Sequence, residues 1–401
     1  MLRPLLHVTV PILMWVLVTS GVGAQGPTRL PSEPLPATPP RMQPEVPPAA
    51  PPASRSTTRL PPVASWAYQL QNANLDAIAA SPFDLVVIDY SRSADDAGRY
   101  TADEIARLRR KPDGGRRIVL AYLSIGEAES YRGYWRDDWV EPLTVILGTV
   151  ANDPAGRTGR AKAPLQRPAT GRPRVLNFPS LTAPPWLGPE NPSWSANYLV
   201  RYWDQAWQDI IFGSKGAELD RIVGAGFDGV YLDRVDAYLA AGKRATSRDE
   251  MVHFVLALAK HARALRPGFL IVPQNAEELL EDQAYFAAID GIAKEDLFYG
   301  QARTDEDPNA DEQVRQSLER LVDARRRGLP ILVVEYVRAP AKQAAVRPRI
   351  LEHGFVPYFS VRALDQLLVY DDAQVPAPAA KDKAQPPEKG QRPAGPGNAK
   401  R

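Results

Sequence analysis

Cysteine is absent from the 401 residues, which excludes disulfides, thiolate metal sites and a cysteine nucleophile. Histidine is nearly as scarce, with His7, His253, His261 and His353 making up the whole set. A His-rich zinc centre is therefore poorly supplied, and a Ser-His-Asp triad would have to use one of those residues as its base. There is no HExxH helix or P-loop, and the two GxGxxG strings, Gly21–Gly26 and Gly224–Gly229, follow the N-terminal apolar stretch and lead into an apolar run rather than linking a strand to a helix, so the commonest zinc, phosphate and dinucleotide signatures are missing. Nothing in the chain calls for a cofactor or a metal. Proline is the opposite case, at 40 residues, about twice ordinary usage. Asp, Glu, Trp and Tyr are also plentiful.

The formal net charge of +2 conceals an asymmetry. Residues 1–62 carry +3, residues 150–182 carry +5 and residues 373–401 carry +4, so the rest of the chain carries −10. A body of that sign disfavours nucleic acid as a partner, because a phosphate backbone needs a basic surface. It tolerates neutral or cationic substrates.

Arg3, the apolar stretch Leu5–Val18 and the small residues Val22-Gly23-Ala24 read together as a secretory signal over residues 1–24. The apolar stretch falls short of the ~20 residues a membrane span needs. The expectation is a secreted or periplasmic protein with no stable membrane span after signal cleavage. Residues 25–62 hold thirteen prolines among Ser, Thr, Ala and Arg. Such a segment cannot bury enough apolar surface to offset its ordering entropy, and it reads as a disordered, extended linker. Residues 373–401 read as a disordered tail for the same reason. The folded unit is then residues 63–372.

Eight short apolar runs punctuate that unit: Ser65–Gln69, Asp84–Tyr90, Arg117–Ser124, Asp228–Asp233, Phe269–Gln274, Asp290–Glu295, Pro330–Tyr336 and Phe355–Phe359. They are aliphatic and β-branched, and mostly lack in/out alternation, as parallel strands covered on both faces do. Amphipathic stretches lie between them: Thr101–Arg110 with a capping-box pattern at Thr101 and Glu104, Asn197–Val223, Asp249–Arg266 and Asp311–Arg327. This alternation implies an α/β fold, a single (β/α)8 TIM barrel. One stretch fits less smoothly. Residues 140–183 are basic and rich in Pro and Gly, and read as a disordered surface insertion or, alternatively, a basic flap for an anionic polymer.

Most of the runs end on a polar or aromatic group, and in a barrel those ends meet at the C-terminal rim, where active sites sit. With period two, Asp233 shares a face with Gly229 and Tyr231, and Glu295 shares one with Gly291 and Ala293. Asp89 ends its run in the same way. A lone strand-end carboxylate often only caps a helix or pairs with an arginine. Several on one rim, without a histidine base nearby, point to carboxylate chemistry. Two acids flanking a bond can hydrolyse a glycoside: one protonates the leaving oxygen, and the other attacks the anomeric carbon or activates water. Glu335 and Asp89 stand as alternatives for either role. Glu127 and Glu129, after the turn permitted by Gly126, read either as projecting toward the same rim or as the acids of a solvated helix start, and Gln274 and Asn275 end their run at that rim. Aromatic faces on which sugars stack are supplied by Trp66, Tyr122, Tyr231 and others, whereas Trp203 and Trp207, at helical spacing, read as core.

The segments Ser65-Trp66 through Gln71, Phe83 through Tyr90, Ala121-Tyr122 through Glu129, Trp194 through Trp203, Gly226 through Asp233, Pro273 through Glu277 and Glu295 through Tyr299 resemble glycoside hydrolase family 114. The resemblance runs from about Ser65 to Tyr299 and more weakly to Ser360. It implies a TIM barrel of the endo-α-1,4-polygalactosaminidase kind, acting on galactosamine-containing polysaccharide. It also implies that Asp233 and Glu295 are the catalytic pair, nucleophile and acid/base respectively, with retention of configuration. Asp89, Tyr122, Glu127, Glu129, Tyr231, Gln274, Asn275, Glu335 and Trp66 are the expected substrate contacts. Two other functions stay open: a barrel that binds exopolysaccharide without cleaving it, and a hydrolase of another α-linked polymer.

Overall fold

Every one of the eight apolar runs forms a strand in the computed structural model, which describes residues 59–146, 173–242, 244–301 and 304–369. The chain opens with β1 (Trp66–Gln69), β2 (Leu85–Ile88) and β3 (Ile118–Ser124). An excursion of five strands follows: β4 (Glu127–Glu129), β5 (Val140–Ile146), β6 (Pro173–Pro179), β7 (Leu187–Glu190) and β8 (Asn197–Val200). The regular pattern then resumes with β9 (Gly229–Asp233), β10 (Leu270–Pro273), β11 (Ile292–Glu295), β12 (Ile331–Glu335) and β13 (Val356–Phe359).

The regular strands are all parallel and neighbour one another in chain order, β1-β2-β3-β9-β10 in one sheet and β11-β12-β13 in another. A parallel bridge between Gln274 and Ala293 joins β10 to β11, reinforced by the Asn275 N–H donating to the Ala293 carbonyl at 2.8 Å. At the other seam the Trp66 indole N–H donates to the Val356 carbonyl at 2.9 Å, and Leu70 N–H donates to the Leu364 carbonyl at 2.8 Å. The architecture is the (β/α)8 TIM barrel. Burial on both faces is what holds it: β2 and β3 are buried at every position, and each Val, Leu or Ile so placed contributes about 1.5–3 kcal/mol.

Helices α1 (Leu75–Ala80), α2 (Ala102–Leu108), α3 (Gln205–Ile211), α4 (Glu218–Gly224), α5 (Ser247–Leu265), α6 (Gln283–Ala288), α7 (Asp311–Arg326) and α8 (Pro340–Glu352) connect the strands. The capping box of α2 forms as its sequence indicates, with both reciprocal Thr101–Glu104 hydrogen bonds made. The stretch Asn197–Val223 differs from the single helix expected of it. It begins as β8 and then splits into α3 and α4 around Gly213 and Gly216, whose φ values of +84° and +86° no continuous helix can hold.

Residues 140–183 are also more ordered than expected at their ends. β5 and β6 pair antiparallel, from Val140 opposite Pro179 to Ile146 opposite Pro173. A separate antiparallel sheet, β4-β8-β7, continues from the C-terminal end of β3. Leu60, placed by its sequence in the linker, is buried and donates its N–H to the Asp290 carbonyl at 2.9 Å. The expected signal (1–24), most of the Pro-rich segment, the core of the basic insertion and the C-terminal tail lie outside the described residues. No helix among the described residues is long and apolar enough to cross a membrane.

Candidate active site

The C-terminal ends of the barrel strands surround a cleft of about 450 Å³. Asp89, Tyr122, Glu127, Glu129, Asp233, Gln274, Asn275 and Glu295 all line it. Asp233 and Glu295 are deeply set, each keeping an edge open to the cleft.

Asp233 is oriented by three donors. The Tyr122 hydroxyl donates to Oδ2 at 2.7 Å; the Gln274 amide and the Arg234 backbone N–H donate to Oδ1 at 3.1 and 2.7 Å. Glu295 accepts from the Asn275 amide at 3.2 Å through Oε1 and from the Tyr336 hydroxyl at 3.0 Å through Oε2. The consecutive residues Gln274 and Asn275 thus hold one carboxylate each. The Asn275 side-chain oxygen Oδ1 in turn accepts the Glu295 backbone N–H at 3.3 Å.

The turns that achieve this are unusual. Arg234, Asn275, Ala276 and Asp296 have φ values of +58°, +59°, +55° and +53°, a region that non-glycine residues seldom occupy and that tends to cluster at functional sites. In the Arg234 turn the strained residue points its own N–H back at Asp233. Gly126 serves the neighbouring turn, since a Cβ there would collide with the Arg234 carbonyl. The Trp207 indole, buried as core, donates to the Ile125 carbonyl at 2.8 Å and supports the same turn.

Both acids hold protons more tightly than ordinary carboxyls. Burial, and then the Glu295 charge, push Asp233 up to about 7, against opposing contributions from Arg234 and the Tyr122 hydrogen bond. Burial and the adjacent Asp296 push Glu295 up, while Arg362, Tyr336 and Asn275 oppose the shift. Two such acids facing one cleft can divide the roles of proton donor and anion between them.

Around them lies a shell of fixed charge. Burial pushes Glu127 up to about 7 even though Arg234 is paired with it at 3.0 Å and Asn191 donates to it at 2.8 Å. Asp89 and Glu129 share Arg132, which donates to both Asp89 oxygens at 2.9 Å and to Glu129 at 2.7 Å. The Tyr131 hydroxyl closes on Glu129 at 2.5 Å. No cluster of His, Cys, Asp and Glu among the described residues is placed to hold a metal ion.

Three residues expected at the mouth lie elsewhere. Trp66 is fully buried in the barrel interior, its ring 6.2 Å from Tyr68 and 6.3 Å from Tyr231. Tyr231 is equally buried beneath Tyr68, 4.9 Å away between ring centroids. Glu335 points out of the barrel and is buried under the loop after β11, accepting the Phe298 and Tyr299 backbone N–H groups at 2.9 and 3.3 Å. Arg234, Asp236 and Arg362 also reach the cleft without having been singled out, together with Trp194, which was placed in a segment resembling the family but not among the expected substrate contacts. Arg234 follows directly on β9 and Arg362 lies three residues past β13, so extending each strand end by a few residues would have found them.

A TIM barrel with a carboxylate-lined cleft at its strand ends is an architecture suited to the glycoside-hydrolase class. The chain belongs to glycoside-hydrolase family GH114, whose model matches residues 47–153 and 172–375. It is 34% identical to a Deinococcus radiodurans protein over 313 residues, covering 77% of this chain and 84% of that one. A Methanocaldococcus jannaschii protein is also 34% identical, over 319 residues, 75% of this chain and 77% of that one. Among solved structures, the Aspergillus fumigatus Ega3 complex with galactosamine matches with a TM-score of 0.50 at 17% identity, over 79% of this chain and 100% of that one. The glycoside hydrolase domain of PelA from Pseudomonas aeruginosa matches at 0.48 and 17%, over 76% and 98%. The Ega3 likeness bears on the fold.

Proposed function

We propose that the protein is an exported, endo-acting hydrolase of α-1,4-linked galactosamine-containing polysaccharide that works through Asp233 and Glu295 with retention of configuration. The observation that carries this reading is the pair itself: two carboxylates from separate strand ends, both facing one cleft and both oriented by neutral donors from the same loop. Asp233, fixed by three donors, suits the anion. Its free lone pair attacks the anomeric carbon while Glu295 gives its proton to the glycosidic oxygen, and the leaving sugar departs as an alcohol. Water then attacks the glycosyl–aspartate ester, Glu295 takes the water's proton, and Asp233 is released.

Galactosamine is favoured by charge. Asp89, Glu127, Glu129 and Asp236 face the cleft besides the catalytic pair, against Arg234 and Arg362 on its lining and Arg132 behind Asp89 and Glu129. The Ega3 structure, whose bound sugar is galactosamine, supports the same choice. Export rests on the signal pattern of residues 1–24.

The test is reducing-end release from a partly deacetylated galactosamine polymer by D233N and E295Q. Each is expected to lose at least about a hundredfold, and the first-formed anomer from the parent, read by NMR, is expected to be α. Full activity in both variants overturns the assignment. Polymer binding without turnover in the parent would make the protein a non-catalytic polysaccharide-binding barrel.

A further inference from the structure

Arg362 lies in the turn after β13, at the edge of the cleft. Its guanidinium is engaged on several sides. Nη2 reaches both oxygens of Asp296 at 2.9 Å, and Nε reaches Asp305 at 2.5 Å. The guanidinium carbon stands 4.4 Å from the centroid of the Tyr336 ring, a favourable cation–π distance. The same Tyr336 donates its hydroxyl to Glu295 at 3.0 Å, and Asp296 is the residue after Glu295, turned aside by its left-handed backbone. The ion pairs of Arg362 are with Asp296 and Asp305, whereas Glu295 is served by neutral donors.

We propose that Arg362 is a positioning residue for Glu295: Asp296 and Asp305 hold its charge against the Tyr336 ring, beside the acid but not paired with it. The inference rests on Glu295 being the acid/base. Such a group must give up a proton in one step and take one back in the next, so its affinity for the proton has to stay intermediate. A direct arginine pair would keep Glu295 ionised, because an opposite charge in contact lowers a carboxyl by about 1–3 units. With no cation at all, burial and the neighbouring acids would keep it protonated.

The groups that face Glu295 are Tyr68 from β1, Tyr231 and Asp233 from β9, Tyr336 just past β12, Asp296 beside it, and Arg362. Lys294, the preceding residue, is buried and paired with Glu277. Arg362 is thus the cation on the cleft side of this set that opposes the upward push of burial and Asp296.

The experiment is a carbon-13 NMR titration of the Glu295 carboxyl, its signal identified by its loss in E295Q, alongside the pH profile of kcat/KM. In R362Q the Glu295 titration is expected to rise by about one unit or more, carrying the alkaline limb of the profile upward. R362K keeps the charge but not the separate nitrogens that engage Asp296 and Asp305 together, and is expected to recover part of that shift. D305N removes an anion from Arg362, so Glu295 should move the other way, downward, a sign that general loosening of the fold would not produce.

A Glu295 titration unmoved in R362Q, or an upward shift in D305N, overturns the inference; if R362Q does not fold, R362K and D305N decide it. Failure of the catalytic reading would look different. E295Q would then keep its polymer hydrolysis, while the NMR shifts would still report on Arg362.

Discussion

Tyr122 shows how closely single side chains set this chemistry. Its hydroxyl donates to Asp233 at 2.7 Å and is among the groups that pull Asp233 down from where burial would leave it. Removing the hydroxyl in Y122F should raise Asp233 above its value of about 7. In the proposed mechanism Asp233 attacks as the anion, so with a raised pKa it is protonated and inactive up to a higher pH, and the acidic limb of kcat/KM moves upward. Hydrogen bonds to charged groups are worth about 1.5–3 kcal/mol, so kcat/KM at neutral pH should fall roughly ten- to a hundredfold. A pH–rate profile of Y122F beside the parent checks both, and an acidic limb that stays put would contradict the role given to the hydroxyl.

At this scale the sequence was legible where strand parity alone decides direction. Asp233 and Glu295 end strands whose alternate positions face inward, and both reach the cleft. Parity also explains the misplacement of Glu335. The register pairs Glu295 with Val334, so Val334 and Tyr336 share its face and Glu335 takes the opposite one. Trp66 was misread for a different reason. Its parity is inward, but it begins β1 and so sits two residues deeper in the interior than Tyr68, which does line the cleft. Depth along a strand depends on the stagger of its neighbours, which one sequence does not display.

Between elements, the loop that carries Gln274 and Asn275 is secured from behind. Glu277, just beyond the two left-handed residues, pairs with Lys294 of β11 at 3.2 Å and accepts the Ser317 hydroxyl from α7 at 2.5 Å. Both charges are buried. Replacing one partner leaves the other charge uncompensated, at a cost of about 3–5 kcal/mol, while replacing both with apolar groups of similar size can be nearly neutral. E277A is therefore expected to lose about that much in urea unfolding, and E277M/K294M to recover most of it. If the double variant is as unstable as the single, the pair is not what holds the loop.

The eight barrel strands were legible as elements because burial on both faces leaves a continuous apolar run. The excursion between β3 and β9 was not. In β8 only alternate residues are buried, a pattern lost among the aromatic residues around it. β5 and β6 find each other across more than twenty intervening residues, a pairing that local pattern cannot announce.

For the molecule as a whole, the charge arithmetic is the property most open to test. With the basic ends and the basic insertion set aside, the remaining residues carry −10, and acids outnumber bases around the cleft. A polymer of free galactosamine is cationic, so this field would raise its local concentration and align it along the mouth, an effect that can reach 10- to 1,000-fold in association rate. Salt shortens the reach of the field from ~10 Å at 0.1 M to ~3 Å at 1 M. For deacetylated polymer, kcat/KM is therefore expected to fall by roughly tenfold over that range, mostly through KM, because capture weakens while the chemistry inside the cleft does not. Fully acetylated polymer has no charge to be steered and should change little. Initial-rate measurements on the two polymers across a salt series separate the cases: parallel responses would mean that attraction between opposite charges is not the basis of substrate choice, leaving contacts inside the cleft to account for it.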